Sequence, residues 1–290
     1  TLAVAVDDVL MKVTHVLRGE DLLSSTPRQI RVYQAMGLAL EDYPVFAHLP
    51  FVMGQDNAKL SKRNGEVSIA WYRDKGFLPE AICNYLALLG WSPGDDRENV
   101  TMKELTELFT VEKVHSSPAR FDMKKLEAIN GDKIRALTID EFLDWSLPFL
   151  TKAGVITGTA DEIALVKLAL PLIQERIIML SEVPAMLKFL FVKNFAVEAD
   201  SVAKITDDAS KQVLQRSLKE LEPLATWNHD SIEAALRSSL IEEMGLKPRI
   251  AFGAVRIATT GSTISPPLFE SMELLGKEAS LARIRAGLEL

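Results

Sequence analysis

Lys59-Leu60-Ser61-Lys62-Arg63-Asn64-Gly65 divides the sequence into two parts of different character. Three cations fall within five positions, beside a serine and a glycine, directly after an apolar segment and a polar stretch over 53–58. Before it, strand and helix signals alternate. After it, from Glu66 onward, nearly every signal is helical. Residues 2–6 and 13–17 are short Val-rich runs of strand length, and 46–52 is a third extended segment. A helix is predicted over 25–36, with Ser25 or Thr26 as its cap, Pro27 in its first turn and Gly37 as a left-handed stop. Strand, helix, strand in that order predicts an α/β layer with parallel pairing, too small to be a whole nucleotide fold.

In the helical part, Gly76, Gly90, Gly131 and Gly276 are placed as C-terminal stops. Thr101-x-x-Glu104 is a capping-box pattern, Asp122 precedes a helical stretch over 123–129, and Asp230 precedes another over 232–240. At least eight helices are expected, with 155–160 and 199–208 as connections between them. No internal repeat is evident.

Composition agrees with a folded globular protein of about two domains: 290 residues, 48% hydrophobic and 25% charged,. The lone cysteine, Cys83, cannot close an intramolecular disulfide or form a multi-thiolate metal site, and a reducing cytoplasm fits it best. Charged residues interrupt every apolar run before the length a spanning helix needs, so no membrane span is expected. The sequence opens at Thr1 with neither an initiator methionine nor a basic leader, and reads as a truncated chain. The net charge of −7 argues against coating nucleic acid by bulk charge,. Residues 59–135, with 13 bases and 12 acids, are not acidic, and a docking polyanion should find some of its contacts there.

Two clusters can carry chemistry. The loop over 59–65 can wrap a polyphosphate, because ammonium groups on flexible stems follow charge as a bond to phosphorus breaks. A solvated basic loop is the alternative. In Thr14-His15-Val16-Leu17-Arg18-Gly19-Glu20-Asp21, an arginine and two carboxylates stand at the carboxyl end of a predicted strand, the edge that ligands favour in open α/β sheets. Arg18 offers a planar fork that matches a carboxylate, and Gly19 leaves room for close approach. A surface salt bridge explains the same residues. The four histidines, His15, His48, His115 and His229, have no metal-ligand spacing, and His48 reads as a hydrogen-bonded, half-buried residue. No catalytic triad, Walker loop or dinucleotide fingerprint is present.

In order, these clusters resemble the second half of the catalytic domain of class I aminoacyl-tRNA synthetases, and among them the bacterial glutamyl-tRNA synthetases. Lys59-Leu60-Ser61-Lys62-Arg63 resembles the KMSKS loop in a KLSKR form. Val6-Asp7-Asp8, Val16-Leu17-Arg18-Gly19-Glu20-Asp21 and Ser25-Thr26-Pro27 resemble the block before it. Further ordered blocks follow: Gly76-Phe77-Leu78-Pro79-Glu80-Ala81, Asn84-Tyr85-Leu86-Ala87-Leu88-Leu89-Gly90-Trp91, Ser117-Pro118-Ala119-Arg120-Phe121-Asp122, and Thr260-Gly261 with Ser265-Pro266-Pro267-Leu268-Phe269-Glu270 and Leu274-Leu275-Gly276.

The resemblance implies a mostly α chain: a small α/β remnant of a class I Rossmann catalytic domain over 1–65, a stem-contact region over 66–138, and an α-helical anticodon-binding domain over 139–290, itself split near 195–222. It implies a cytoplasmic, monomeric glutamate-tRNA ligase acting on ATP, L-glutamate and tRNA(Glu) through a glutamyl-adenylate, with Mg2+ accompanying ATP and no structural metal. Lys62 would meet the triphosphate with Lys59 in support, and Ser61, Asp21 and the main chain at Phe51 and Val52 would lie near the nucleotide. Arg18 would bind the glutamate carboxylate. Arg176, Lys247, Arg249 and Arg256 would face tRNA, with Phe189, Phe191 or Phe252 as stacking platforms or as core. The His-x-Gly-His signature of the family does not occur in these 290 residues, so the chain alone is expected to lack turnover. A glutaminyl relative, or a helical tRNA-binding module without activity, are the alternatives.

Overall fold

The computed structural model describes residues 2–54, 68–115, 117, 119–192 and 194–290. They form two compact units, Thr1–Lys133 and Ile134–Leu290.

The first unit opens with helix α1 (Leu2–Leu10), where the sequence predicts a strand over 2–6. The Val-rich run misled because strand and helix differ in which faces they bury, not in apolar content. Only Ala5 of α1 is buried, and Asp8, one turn further, accepts a hydrogen bond from Tyr33 Oη at 3.0 Å. Burial and the Asp8 carboxylate push the Tyr33 phenol up to about 12. Tyr33 belongs to α2 (Thr26–Ala35), which carries Pro27 in its first turn and ends just before Gly37, whose φ is 79°. Between α1 and α2 runs β1 (His15–Gly19), two residues later than the sequence suggests. It pairs with β2 (Val45–Leu49) in parallel, as predicted, with Arg18 opposite His48. The third extended segment breaks after Leu49, so that Val52–Met53 form a separate strand, β3, which pairs with β4 (Ala119–Arg120).

The further helices among its described residues are α3 (Ile69–Lys75), α4 (Pro79–Leu88) and α5 (Met102–Leu108), with α6 (Met123–Ala136) beginning in it and ending three residues past its boundary. Gly76 ends α3 at φ 86°, and Thr101 with Glu104 forms the expected capping box on α5. Gly131 is not a stop; it is buried inside α6. Anchors on either side of it outweigh the roughly 1 kcal/mol that a mid-helix glycine costs. Asn130 Oδ1 accepts the Leu78 N–H at 2.8 Å, and Lys133 Nζ donates to the Val100 carbonyl at 2.8 Å. Asn84 on α4 is fully buried and acts alike, donating to the Glu98 carbonyl at 2.9 Å and accepting from the Val100 N–H at 2.8 Å.

The second unit contains α7 (Ile139–Lys152), α8 (Ala160–Ala169), α9 (Val183–Leu187), α10 (Ala199–Val202), α11 (Asp208–Leu221), α12 (His229–Leu236), α13 (Pro248–Thr260), α14 (Leu268–Leu275) and α15 (Lys277–Leu288). Thr138 with Glu141 and Thr159 with Glu162 cap α7 and α8 as capping boxes. Asn228, not the expected Asp230, caps α12, its side chain accepting from the Ser231 N–H at 2.9 Å. A π-helical segment over Arg237–Glu243 continues from α12. Leu214, Leu236, Leu240 and Ile284 are fully buried in a core shared by α11 to α15, and truncating any one to alanine should cost about 2–5 kcal/mol. Arg283 of α15 lies 9% exposed in this unit. Its guanidinium donates to the Thr259 and Phe189 carbonyls at 2.7 and 2.8 Å and stands 3.9 Å from the centre of the Phe195 ring.

Candidate functional site

The carboxyl edge of β1 assembles one set of candidate residues. Arg18 and His48 occupy matched positions on adjacent parallel strands, so their side chains leave the same face of the sheet,. Arg18 Nε donates to His48 Nε2 at 3.3 Å, and Arg18 Nη2 donates to Thr26 Oγ1 at 2.8 Å and the Leu22 carbonyl at 3.3 Å. Phe46, two residues before His48 and on its face, neighbours both groups. The His48 ring is parallel to it within 6° at 6.5 Å, and the Arg18 guanidinium carbon is 5.4 Å from its centre. Arg18 Nη1, with two N–H donors, has no hydrogen-bond partner among the described residues. A half-buried cation with one edge fixed and the other open can grip a carboxylate.

Glu20 and Asp21 follow in the turn that leaves β1. Glu20 Oε1 accepts the Phe51 N–H at 3.1 Å, which brings the chain just ahead of β3 to this edge. Gly19 matters here for space rather than for backbone freedom. Its φ is an ordinary −63°, and a Cβ there would make the Asp21 carboxylate swing aside. Lys59, Ser61 and Lys62 lie outside the described residues.

In the second unit, α13 presents the other candidates. Lys247 stands at its N-cap and Arg249 is exposed in its first turn, while Arg256, two turns on, is half-buried. Arg256 Nη1 donates to Ser265 Oγ and the Pro266 carbonyl, both at 2.8 Å. Burial, and then the neighbouring charge of Arg176, hold the Arg256 guanidinium below its ordinary range. Lys204, Arg249, Phe252, Arg256 and Thr263 line an open cavity of about 670 Å³. Cations gathered there are relieved by an anion, and its volume admits a nucleotide-sized group. Of the three candidate platforms, Phe189 is buried and serves the core. Phe252 sits edge-on to Phe269 with Arg237 over its face, and Phe191 is half-buried.

Sequence reading picked out Arg18 but assigned no function to Thr26 and His48, which hold it. The available signal was the pairing of two predicted parallel strands, which sets Arg18 beside His48 once the register is right.

An α/β edge with an open arginine fork is thus followed along the chain by a helical unit with a cationic cavity. Residues 1–128 match the family described as tRNA synthetases class I (E and Q), catalytic domain, and residues 123–288 match the family described as anticodon binding domain. The chain belongs to the class I tRNA synthetases of this E and Q group. It is 50% identical to glutamate–tRNA ligases of Saccharopolyspora erythraea and of a Nocardioides species, over 99% of its own length and 58% and 60% of theirs. A crystal structure of a glutamate tRNA ligase from Elizabethkingia meningosepticum in complex with its amino acid superposes with a TM-score of 0.81 at 28% identity, covering 99% of this chain and 59% of that one. The chain thus spans somewhat over half the length of the relatives it matches.

Proposed function

We propose that the intact protein to which this chain belongs ligates L-glutamate to tRNA(Glu) in the cytoplasm, using ATP with its Mg2+ and passing through a glutamyl-adenylate. One observation carries this reading: identity of 50% with glutamate–tRNA ligases runs across 99% of the chain. The open fork of Arg18 supports it as the place where a glutamate carboxylate is held. In this reading residues 1–65 supply the carboxyl edge of the catalytic sheet and the KLSKR loop, 66–138 contact the tRNA stem, and 139–290 receive the anticodon.

The chemistry asks for positioning and charge more than for covalent help. A carboxylate oxygen of glutamate attacks the α-phosphorus of ATP and pyrophosphate leaves. A ribose hydroxyl at the 3′ end of tRNA then attacks the acyl carbon and AMP leaves. Lys62, with Lys59 beside it and Ser61 between them, takes up the charge that grows on the departing pyrophosphate. Asp21 and the main chain at Phe51 and Val52 border the nucleotide. Arg176, Lys247, Arg249 and Arg256 meet tRNA phosphates or bases.

Lys62→Ala in the intact protein tests this. It should cut pyrophosphate exchange far more than glutamate binding, and equal loss of both would sink the assignment. A glutaminyl enzyme is the second reading, favoured only by the shared family description. The helical second unit speaks for glutamate, and charging assays with each amino acid separate them. The 290-residue chain itself, given ATP, glutamate and tRNA, should bind tRNA without turnover. Turnover by it would overturn the division of labour drawn here.

A further inference from the structure

Arg18 has more donors than a substrate carboxylate can use, and three of them are spent inside the protein. Its Nε proton goes to His48 and both Nη2 protons go to Thr26 and the Leu22 carbonyl. We propose that His48, seconded by Thr26, is a positioning residue that sets the angle of the Arg18 fork and thereby the enzyme's affinity for its amino-acid substrate. This rests on the reading of Arg18 as the carboxylate-binding group.

Three observations support it. Guanidinium Nε only donates, so His48 Nε2 must accept, and the imidazole proton resides on Nδ1. Thr26 Oγ1 is 3.2 Å from the same Nε2 while it accepts from Arg18 Nη2. Arg18 Nε–H and Thr26 Oγ1–H therefore share the one lone pair of His48 Nε2, and with the bond from Arg18 Nη2 to Thr26 Oγ1 the three side chains close a ring of hydrogen bonds that orients the guanidinium plane,. The imidazole lies parallel to the Phe46 ring, 6.5 Å between centres, and the guanidinium carbon stands 5.4 Å from the centre of the same ring. Finally, the arrangement does not depend on long side chains finding each other. The parallel register places Arg18 and His48 side by side at the penultimate positions of both strands. The three-carbon stem of Arg18 without this ring would sample several rotamers, and ordering it would be charged against substrate binding.

The test is a set of variants in the intact protein, read as KM for glutamate, KM for ATP and kcat in pyrophosphate exchange. His48→Leu removes the acceptor and should raise the glutamate KM roughly tenfold, leaving the ATP KM and kcat within about twofold. His48→Gln, whose Oε1 can accept from Arg18 Nε, should recover most of the loss. Thr26→Val should act in the same direction and Thr26→Ser should recover it. Combined with Arg18→Lys, His48→Leu should add little, because the ring is already broken. A silent His48→Leu alongside a damaging Arg18→Lys would overturn the positioning role while leaving the carboxylate site intact. If the Gln variant is no better than Leu, or if both KM values rise together, the role is also overturned. An Arg18→Lys variant with unchanged glutamate KM would instead remove the reading on which the proposal rests.

Discussion

The carboxylate of Glu20 accepts the backbone N–H of Phe51 at 3.1 Å. The residue two places after Arg18 thus fastens the end of β1 to the segment that enters β3, and the sequence that follows β3 carries Lys59 and Lys62. If Phe51 and Val52 border the nucleotide, Glu20→Ala should raise the KM for ATP roughly fivefold, the equivalent of about 1 kcal/mol. Glu20→Gln, which keeps an accepting oxygen, should do less. Pyrophosphate exchange at varied ATP checks this. A change confined to the glutamate KM would speak against it.

Arg249 and Arg256 should answer differently to removal. Arg249 is exposed, so Arg249→Ala should weaken tRNA binding, flatten its salt dependence by about 0.7 in log–log slope, and leave the Tm unchanged. Arg256 also ties α13 to Ser265 and Pro266. Arg256→Ala should therefore lower both tRNA affinity and Tm. Filter binding at several salt concentrations, with thermal unfolding alongside, distinguishes the two.

The His229 and Glu273 pair should shape stability against pH. Glu273 Oε2 lies 2.7 Å from His229 Nδ1 and accepts the His229 N–H at 2.9 Å. The Glu273 hydrogen bond raises the imidazole above its ordinary range, and His229 lowers the carboxylate below its own. Stability from the raised histidine is complete below the unfolded imidazole value and is lost as pH climbs through the folded one. Stability from the depressed glutamate is complete above the unfolded carboxyl value and is lost as pH falls through the folded one. The pair is therefore most effective between roughly pH 4.3 and 6.5. His229→Gln should flatten the stability profile on the alkaline side of that window, and added salt should shrink the difference, since both groups are exposed. Urea titrations from pH 4 to 9 provide the measurement.

Arg283 offers a sharper test of folding. Burial holds its guanidinium down to about 10, still charged at neutral pH, and its partners are two carbonyls and the Phe195 ring. Arg283→Met keeps much of the volume but strands the Thr259 and Phe189 carbonyls. It should cost about 3 kcal/mol, roughly 10 °C in Tm. Arg283→Lys, with one ammonium for two diverging carbonyls, should fall between. Differential scanning calorimetry would show a wild-type Tm for Arg283→Met if the clamp were unimportant.

The parts legible in the sequence were those decided within one turn of chain. Thr101 and Glu104 find each other over three residues, and Gly76 and Gly276 stop helices by their own backbone freedom. Misreadings came where partners lie far away. Residues 2–6 read as a strand until Tyr33 is known to reach Asp8, 25 positions back. Gly131 reads as a stop until Asn130 is seen holding Leu78, 52 residues earlier. The site divides in the same way: Arg18 and Glu20 were visible as a cluster, whereas His48 joins them only through strand register, and Thr26 only through the turn that leads into α2.

Asn84 and Asn130 stand in or against the sequence blocks that make this family recognisable, yet neither handles a substrate in the roles drawn here. Each occupies itself with peptide groups of its own fold. A descendant that had abandoned aminoacylation, and used the same scaffold only to hold RNA, would be under the same pressure to keep both. Survival of those blocks in a genome therefore certifies the skeleton; on the role proposed for Arg18, it is that residue and its two companions whose state would report whether the old trade is still practised.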